Sequence, residues 1–231
     1  MRVVAEQIRD HFHDSRMQLG VIGCSTGAEV YSFLWTFHKV LPDLGINTTA
    51  LDISSAAVEV ARAGHYAQDA PELRKKLSRE TIDELFDREG ATLRIKPHLM
   101  VGVRWLVGDA MDPNLVNLVG VQDVLLANNF LVHMQPVAAQ QCMTGLLRLV
   151  RPGGLFVCRG VDLNVRESVA RKSGLEAITD EIQQIHDADP VMDAPKDWPW
   201  KYWGLEPMDP TRRDWPTRYA AIFRVPHVVL R

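Results

Sequence analysis

Apolar residues recur along this chain with two alternating periods. Residues 3–14 carry them three and four apart, as one face of a helix does, and 18–23 is a short continuous apolar run of the kind that makes a buried strand. The alternation continues with a helix over 28–41, a strand over 47–52 and a helix from an N-cap at Ser54 to about 63. Pro71 opens a charged helical segment to about 87, with Gly90 behind it. Strands follow at 103–108 and 123–128, then a helix over 136–150 ending at Arg151-Pro-Gly-Gly and a strand at 155–158. Beyond 160 a helical stretch over 166–188 leads into a proline- and tryptophan-rich segment at 197–207, and 219–225 reads as a last strand. Strands alternating with helices predict an α/β fold, a mostly parallel sheet covered on both faces. Its ligands belong beyond the carboxyl ends of the strands.

Gly23, Asp52, Asp109 and Asn128 all fall at or just after such ends. The richest of these places is the turn Gly23-Cys24-Ser25-Thr26-Gly27, which joins the first strand to a helix bearing Glu29 in its first turn. Two glycines there let the main chain approach a ligand, and an acid at the tip of the next strand, Asp52, can accept both hydroxyl hydrogens of a ribose. This outlines a βαβ unit for a nucleotide-type cofactor. The loop lacks the full Gly-x-Gly-x-x-Gly spacing of a nicotinamide-binding turn.

Composition narrows the partners. A formal charge of −3 gives no general field for phosphates, and the basic cluster Arg74-Lys75-Lys76 is flanked by Glu72 and Glu80, so nucleic acid is not expected. No run approaches membrane-spanning length. The three cysteines, Cys24, Cys142 and Cys158, show no pairing or metal spacing, which suits a reducing cytoplasm and predicts no metal site. The length suits a single domain over 1–231, with a core over about 16–160 and acceptor-side elements over 161–231.

Several segments together resemble one family. Residues 147–157, Leu-Arg-Leu-Val-Arg-Pro-Gly-Gly-Leu-Phe-Val, look like the helix, turn and fifth strand of class I S-adenosylmethionine (SAM) methyltransferases. Gly-Cys-Ser-Thr-Gly-Ala-Glu-Val-Tyr-Ser (23–32), Leu-Asp-Ile-Ser (51–54), Ala-Arg-Ala-Gly-His-Tyr (61–66) and Asp-Val-Leu-Leu-Ala-Asn-Asn-Phe-Leu-Val-His-Met (123–134) occur in the order and spacing of the CheR type, which methylates glutamate side chains of chemotaxis receptors. The similarity covers roughly 20–160. It implies a Rossmann-like class I fold with a mostly parallel seven-stranded sheet and SAM as cofactor. By the same resemblance Gly23 lies along the methionine part, Glu29 receives its ammonium group, Asp52 holds the ribose hydroxyls, and Ile53 beside it belongs to the cofactor site. Cys24, Ser25, Thr26 and Gly27 complete the loop, Asp109 and Ala110 border the adenine, and Asn128 and Asn129 line the sulfonium region. His133 follows one helical turn later, facing the acceptor.

Departures from the family bear on that acceptor. Where the family has Arg-Asn and then Tyr, this chain has Asn128-Asn129 and His133, and the family's helical domain and arginine-containing segment before the first helix are not matched. A carboxylate acceptor needs no base, whereas an N–H or O–H acceptor must lose a proton, which a histidine is suited to take. The expectation is therefore a small-molecule acceptor methylated at N or O, with His133 as catalytic base and Tyr31, Trp198, Trp200 and Trp203 beside the substrate. Two alternatives stay open: a protein-glutamate O-methyltransferase of the chemotaxis type, and a SAM-binding regulatory protein without catalysis.

Overall fold

The computed structural model describes residues 1–70, 73, 77–188 and 206–227. They fall in two compact units, Met1–Asp109 and Ala110–Arg231.

The first unit runs α1 (Arg2–His11), β1 (Arg16–Ile22), α2 (Ala28–Val40), β2 (Gly45–Asp52), α3 (Ser55–Ala63), β3 (His65–Ala67), α4 (Arg79–Leu85), β4 (Phe86–Glu89), β5 (Thr92–Ile95), α5 (Pro97–Met100) and β6 (Val103–Val107). β1 pairs in parallel with β2, Arg16 opposite Gly45, and β2 with β6, Thr48 opposite Val103, giving the order β6-β2-β1. Met17, Leu19, Val21 and Ile22 of β1 are buried, as are Val30, Tyr31, Phe33, Leu34 and Phe37 on α2. The apolar run and the helical stripe in the sequence thus become one core. Ser54 caps α3 by accepting a hydrogen bond from Ala57 N at 3.2 Å, and Gly64 ends it at φ 64°.

Of the charged helix expected over 71–87, the described residues show α4 over Arg79–Leu85. Residues 71, 72 and 74–76 lie outside the described residues; α4 begins only at Arg79, where Ser78 Oγ accepts from Thr81 N at 3.1 Å. From Phe86 the chain turns to strand and folds back about Gly90, φ 61°, so that β4 and β3 flank β5 in a small antiparallel sheet. Tyr66, Phe86 and Leu93 are buried there, with Tyr66 edge-on to Phe86 at 6.0 Å. Cross-strand burial outweighs the helical propensity of the charged residues.

The second unit runs α6 (Leu115–Val119), β7 (Gln122–Leu126), α7 (Pro136–Leu146), β8 (Val150–Val157), α8 (Leu163–Lys172), β9 (Glu176–Ala177), α9 (Ile182–Asp187), α10 (Trp215–Tyr219) and β10 (Ile222–Arg224). Its strand order is β7-β8-β10-β9, with β7 and β8 parallel and β10 antiparallel to both neighbours. With three strands of the first unit these four supply the seven of a Rossmann-like α/β fold.

Two boundaries differ from expectation here. Arg151-Pro-Gly-Gly does not precede the strand but lies inside β8, where the register shifts between Gln122 and Val124 and Gly153 has φ 78°. A Cβ at Gly154 would stand 2.8 Å from the Asp123 carbonyl oxygen, so these glycines form a bulge that lets the strand start early. The helix expected over 166–188 is interrupted. Asp162 caps α8 at the backbone N–H of Asn164 and Val165, α8 stops at Lys172, and Gly174, φ 64°, turns the chain into β9 before α9.

A polar cluster holds α8 and α10 together. Arg218, 6% exposed, donates from Nε and Nη2 to the two oxygens of Glu206, at 2.6 and 3.1 Å, and from Nη1 to Asn164 Oδ1 at 3.2 Å. Tyr219 Oη donates to Glu206 Oε1 at 2.9 Å. The Arg218 hydrogen bonds hold the Glu206 carboxyl below its ordinary range. A depressed carboxyl stabilises the fold fully above its unfolded pKa, about 4.3, and loses that contribution as pH falls through the folded value. Arg218→Met is expected to cost about 2 kcal/mol, since it leaves a partly buried carboxylate without a counter-charge and with only the Tyr219 hydroxyl bonded to it. In thermal melts, wild type should lose stability below about pH 4.3 through this group, and Glu206→Gln should show a weaker acid dependence. Identical pH profiles for the two would contradict the assignment.

Candidate active site

β1 and β2 end side by side, and the loop after β1 is tied to the tip of β2. Gly23 N and Cys24 N both donate to the Leu51 carbonyl, at 2.8 and 3.1 Å, which carries two sheet-like bonds past the last strand residue. Asp52 then takes over: its Oδ2 accepts from Ser25 N at 2.7 Å and its Oδ1 from Ser54 N at 2.9 Å. A carboxylate offers about four lone-pair sites, so two remain for hydroxyl donors while the backbone bonds fix its orientation.

The loop is strained where it turns. Gly23, Ser25 and Gly27 have φ of 73°, 47° and 88°, and Ser25, as a residue with a side chain, holds that angle against a steric cost. Gly27 N donates to the Cys24 carbonyl at 2.9 Å, closing the turn before α2. A Cβ at Gly27 would lie 2.9 Å from Ala61 Cβ and 3.0 Å from the Trp105 ring, so only glycine fits between α3 and β6. Ser25 is exposed, while Gly23, Thr26 and Glu29 are half-buried, Glu29 in the first turn of a 13-residue helix.

Cys24 is 2% exposed, and burial, reinforced by the nearby Asp52 charge, pushes its thiol up to about 12. It stays a neutral packing group. Tyr31, expected beside a substrate, is instead a core residue: it is 1% exposed, donates to the Ala61 carbonyl at 2.6 Å and packs at 5.7 Å from Trp105. Burial also raises its phenol. Tyr31 braces α2 against α3. Ile53 is 72% exposed immediately after Asp52. Gly108 N donates to the Asp52 carbonyl at 3.0 Å, so exposed Asp109 leaves the end of β6 next to the tip of β2.

Two residues that sequence reasoning did not assign complete this arrangement. Tyr66 Oη donates to the Thr26 carbonyl at 2.6 Å, pinning the Gly23–Gly27 loop from the small sheet, and Trp105 floors it beneath Gly27. The signals available were that Trp105 is an aromatic within a predicted strand and that Tyr66 closes the family-like segment 61–66.

In the second unit Ala110 borders a cavity of about 200 Å³ with Met111, Leu115 and Cys142. Asn128 and Asn129 follow the end of β7. Asn128 is 8% exposed, and its Oδ1 accepts from Arg159 N at 2.9 Å; Asn129, at φ 62°, donates from N to the Arg159 carbonyl at 2.9 Å. A Cβ at Gly160 would meet Asn129 at 2.7 Å, which explains why a glycine follows Arg159. His133 ends a 3₁₀ turn over Leu131–His133 and is exposed. Trp198, Trp200 and Trp203 lie outside the described residues. No helix among the described residues is long and apolar enough to cross a membrane.

With this geometry in hand, residues 1–173 match the model of the family described as CheR methyltransferase, SAM binding domain. The chain belongs to this family. The family description names the SAM-binding domain of a methyltransferase, which gives SAM as the cofactor, in agreement with the glycine loop and the Asp52 tip. A probable biofilm formation methyltransferase, WspC, of Pseudomonas putida is 28% identical over 61% of this chain and 32% of its own length. A chemotaxis protein methyltransferase of Vibrio parahaemolyticus is 27% identical over 70% of this chain and 55% of its own. The chain thus spans from about a third to about half of these relatives. Among solved structures, the SAM-bound magnesium protoporphyrin IX methyltransferase of Synechocystis is 16% identical, with a TM-score of 0.43, over 76% of this chain and 67% of that one.

Proposed function

We propose that this CheR-family chain is a protein carboxyl O-methyltransferase acting on glutamate side chains. The observation that carries the reading is the family match over 1–173, supported by relatives named as chemotaxis and biofilm methyltransferases. This replaces the small-molecule acceptor as the first choice. In this reading residues 1–231 work as one methyltransferase domain.

The Gly23–Gly27 loop would hold the methionine end of SAM, Glu29 its ammonium, Asp52 the ribose hydroxyls, Ile53, Asp109 and Ala110 the adenine side, and Asn128 and Asn129 the sulfonium region. When bound, SAM supplies a methyl on a sulfonium, transferred as the acceptor oxygen forms a bond to carbon and the S–C electron pair returns to sulfur. The protein's part is alignment and exclusion of water, because a carboxylate is already the nucleophile and needs no base. Asp52, fixed by two backbone donors, sets the cofactor's position without rearranging during turnover.

A second reading rests on His133, an exposed imidazole after the Asn128-Asn129 turn, which would serve as base for a small-molecule N–H or O–H acceptor. The product separates the two. With methyl-labelled SAM and a glutamate-rich protein acceptor, the first reading predicts label released as methanol by mild base. Label stable to base, with turnover lost in His133→Ala, would favour the second. SAM binding without transfer to either class of acceptor would favour a regulatory protein.

A further inference from the structure

Among the described residues, two arginines, Arg166 and Arg218, are buried close to the carboxyl end of β8. Arg166, on α8, is 2% exposed, yet its bonds go to main-chain carbonyls: Nη2 to Arg218 O at 2.6 Å and Nη1 to Cys158 O at 3.4 Å. Among the described residues its Nε has no hydrogen-bond partner. Burial, with repulsion from the Arg159 and Arg218 guanidiniums, pushes Arg166 down to about 10, so it remains charged at neutral pH. Glu206, the nearby carboxylate, gives both its oxygens to Arg218. A buried guanidinium with no carboxylate bonded to it is costly, and the cost falls when an anion comes within its field.

Arg159 is the next residue after the Cys158 carbonyl that Arg166 holds. Its main chain is clasped on both sides, by Asn128 Oδ1 on its N–H and by Asn129 N–H on its carbonyl. It is half-buried at the end of a strand pair where an open α/β sheet binds its ligands. The two asparagines bring hydrogen-bonding capacity but no charge. Arginine brings a planar fork matched to a carboxylate. We propose that Arg159, clasped by Asn128 and Asn129 and backed by the buried Arg166, binds the carboxylate of the methyl acceptor and makes this site selective for acids over amides.

The inference rests on the carboxyl-methylation reading, and a binding assay separates their failures because it needs no turnover. The probe is a fluorescent peptide carrying several glutamates, with its glutamine counterpart, titrated against the full chain saturated with S-adenosylhomocysteine (SAH). Wild type is expected to prefer the glutamate peptide about tenfold, the size of one charge-assisted contact. Arg159→Gln should bind both peptides alike, Arg159→Lys should recover part of the preference, and SAH affinity should be unchanged in both variants. Preference retained in Arg159→Gln, no preference in wild type, or a parallel loss of SAH affinity would overturn the proposal. A glutamate preference that depends on Arg159, without base-labile methyl ester in the turnover assay, would uphold Arg159 as an acid-binding residue and overturn carboxyl methylation.

Discussion

Asp52→Ala is expected to weaken SAH binding about 100-fold. The carboxylate holds the loop through Ser25 N, and in the proposed site its two further lone-pair sites would take the ribose hydroxyls; losing charge-assisted bonds of this kind costs about 3 kcal/mol. Isothermal titration of SAH against wild type and variant checks it, with thermal melts run alongside. Ser54 still caps α3 with its own hydroxyl in the variant, so the melting temperature should fall far less than the affinity. Affinity within threefold of wild type would remove Asp52 from the cofactor site.

The second large effect is on stability. Gly27→Ala must place a methyl at φ 88°, 2.9 Å from Ala61 and 3.0 Å from Trp105. Left-handed strain of about 1 kcal/mol and overpacking of about 2 kcal/mol together lower the melting temperature by about 6–12 °C for a chain of this size. Because the turn also sets Ser25 N against Asp52, SAH affinity should drop in the same variant. Wild-type stability and affinity in Gly27→Ala would mean that the loop is not the tight cradle described.

Much of this was legible in local sequence. The βαβ start could be read because each of its signals lies within a few residues: the apolar run of β1, the glycines, the α2 stripe, Asp52 at a strand end and Ser54 as a cap. What was not legible depends on partners far along the chain. The helix expected over 71–87 ends at Leu85 because Phe86 pairs across to Ile95, a contact that propensity does not encode. Tyr31 was assigned to the substrate, but it lies among the buried positions of α2, Val30, Phe33, Leu34 and Phe37, and the hydroxyl that suggested function is satisfied by Ala61 thirty residues on. Tyr66 and Trp105 escaped notice for the same reason: their roles are bonds and contacts with the loop that neither residue's neighbours announce. Arg159 and Arg166 gain meaning only when the carbonyl of Cys158 and the side chain of Asn128 are seen beside them.

In the proposed function the loop after β1 holds SAM with its ribose end at Asp52. A crystal structure of the full chain with SAH tests this most directly. The predicted result is both ribose hydroxyls within hydrogen-bond distance of Asp52, the amino acid end against Gly23 and Glu29, and the Ser25–Asp52 bond retained. SAH bound elsewhere, or with its ribose away from Asp52, would contradict it.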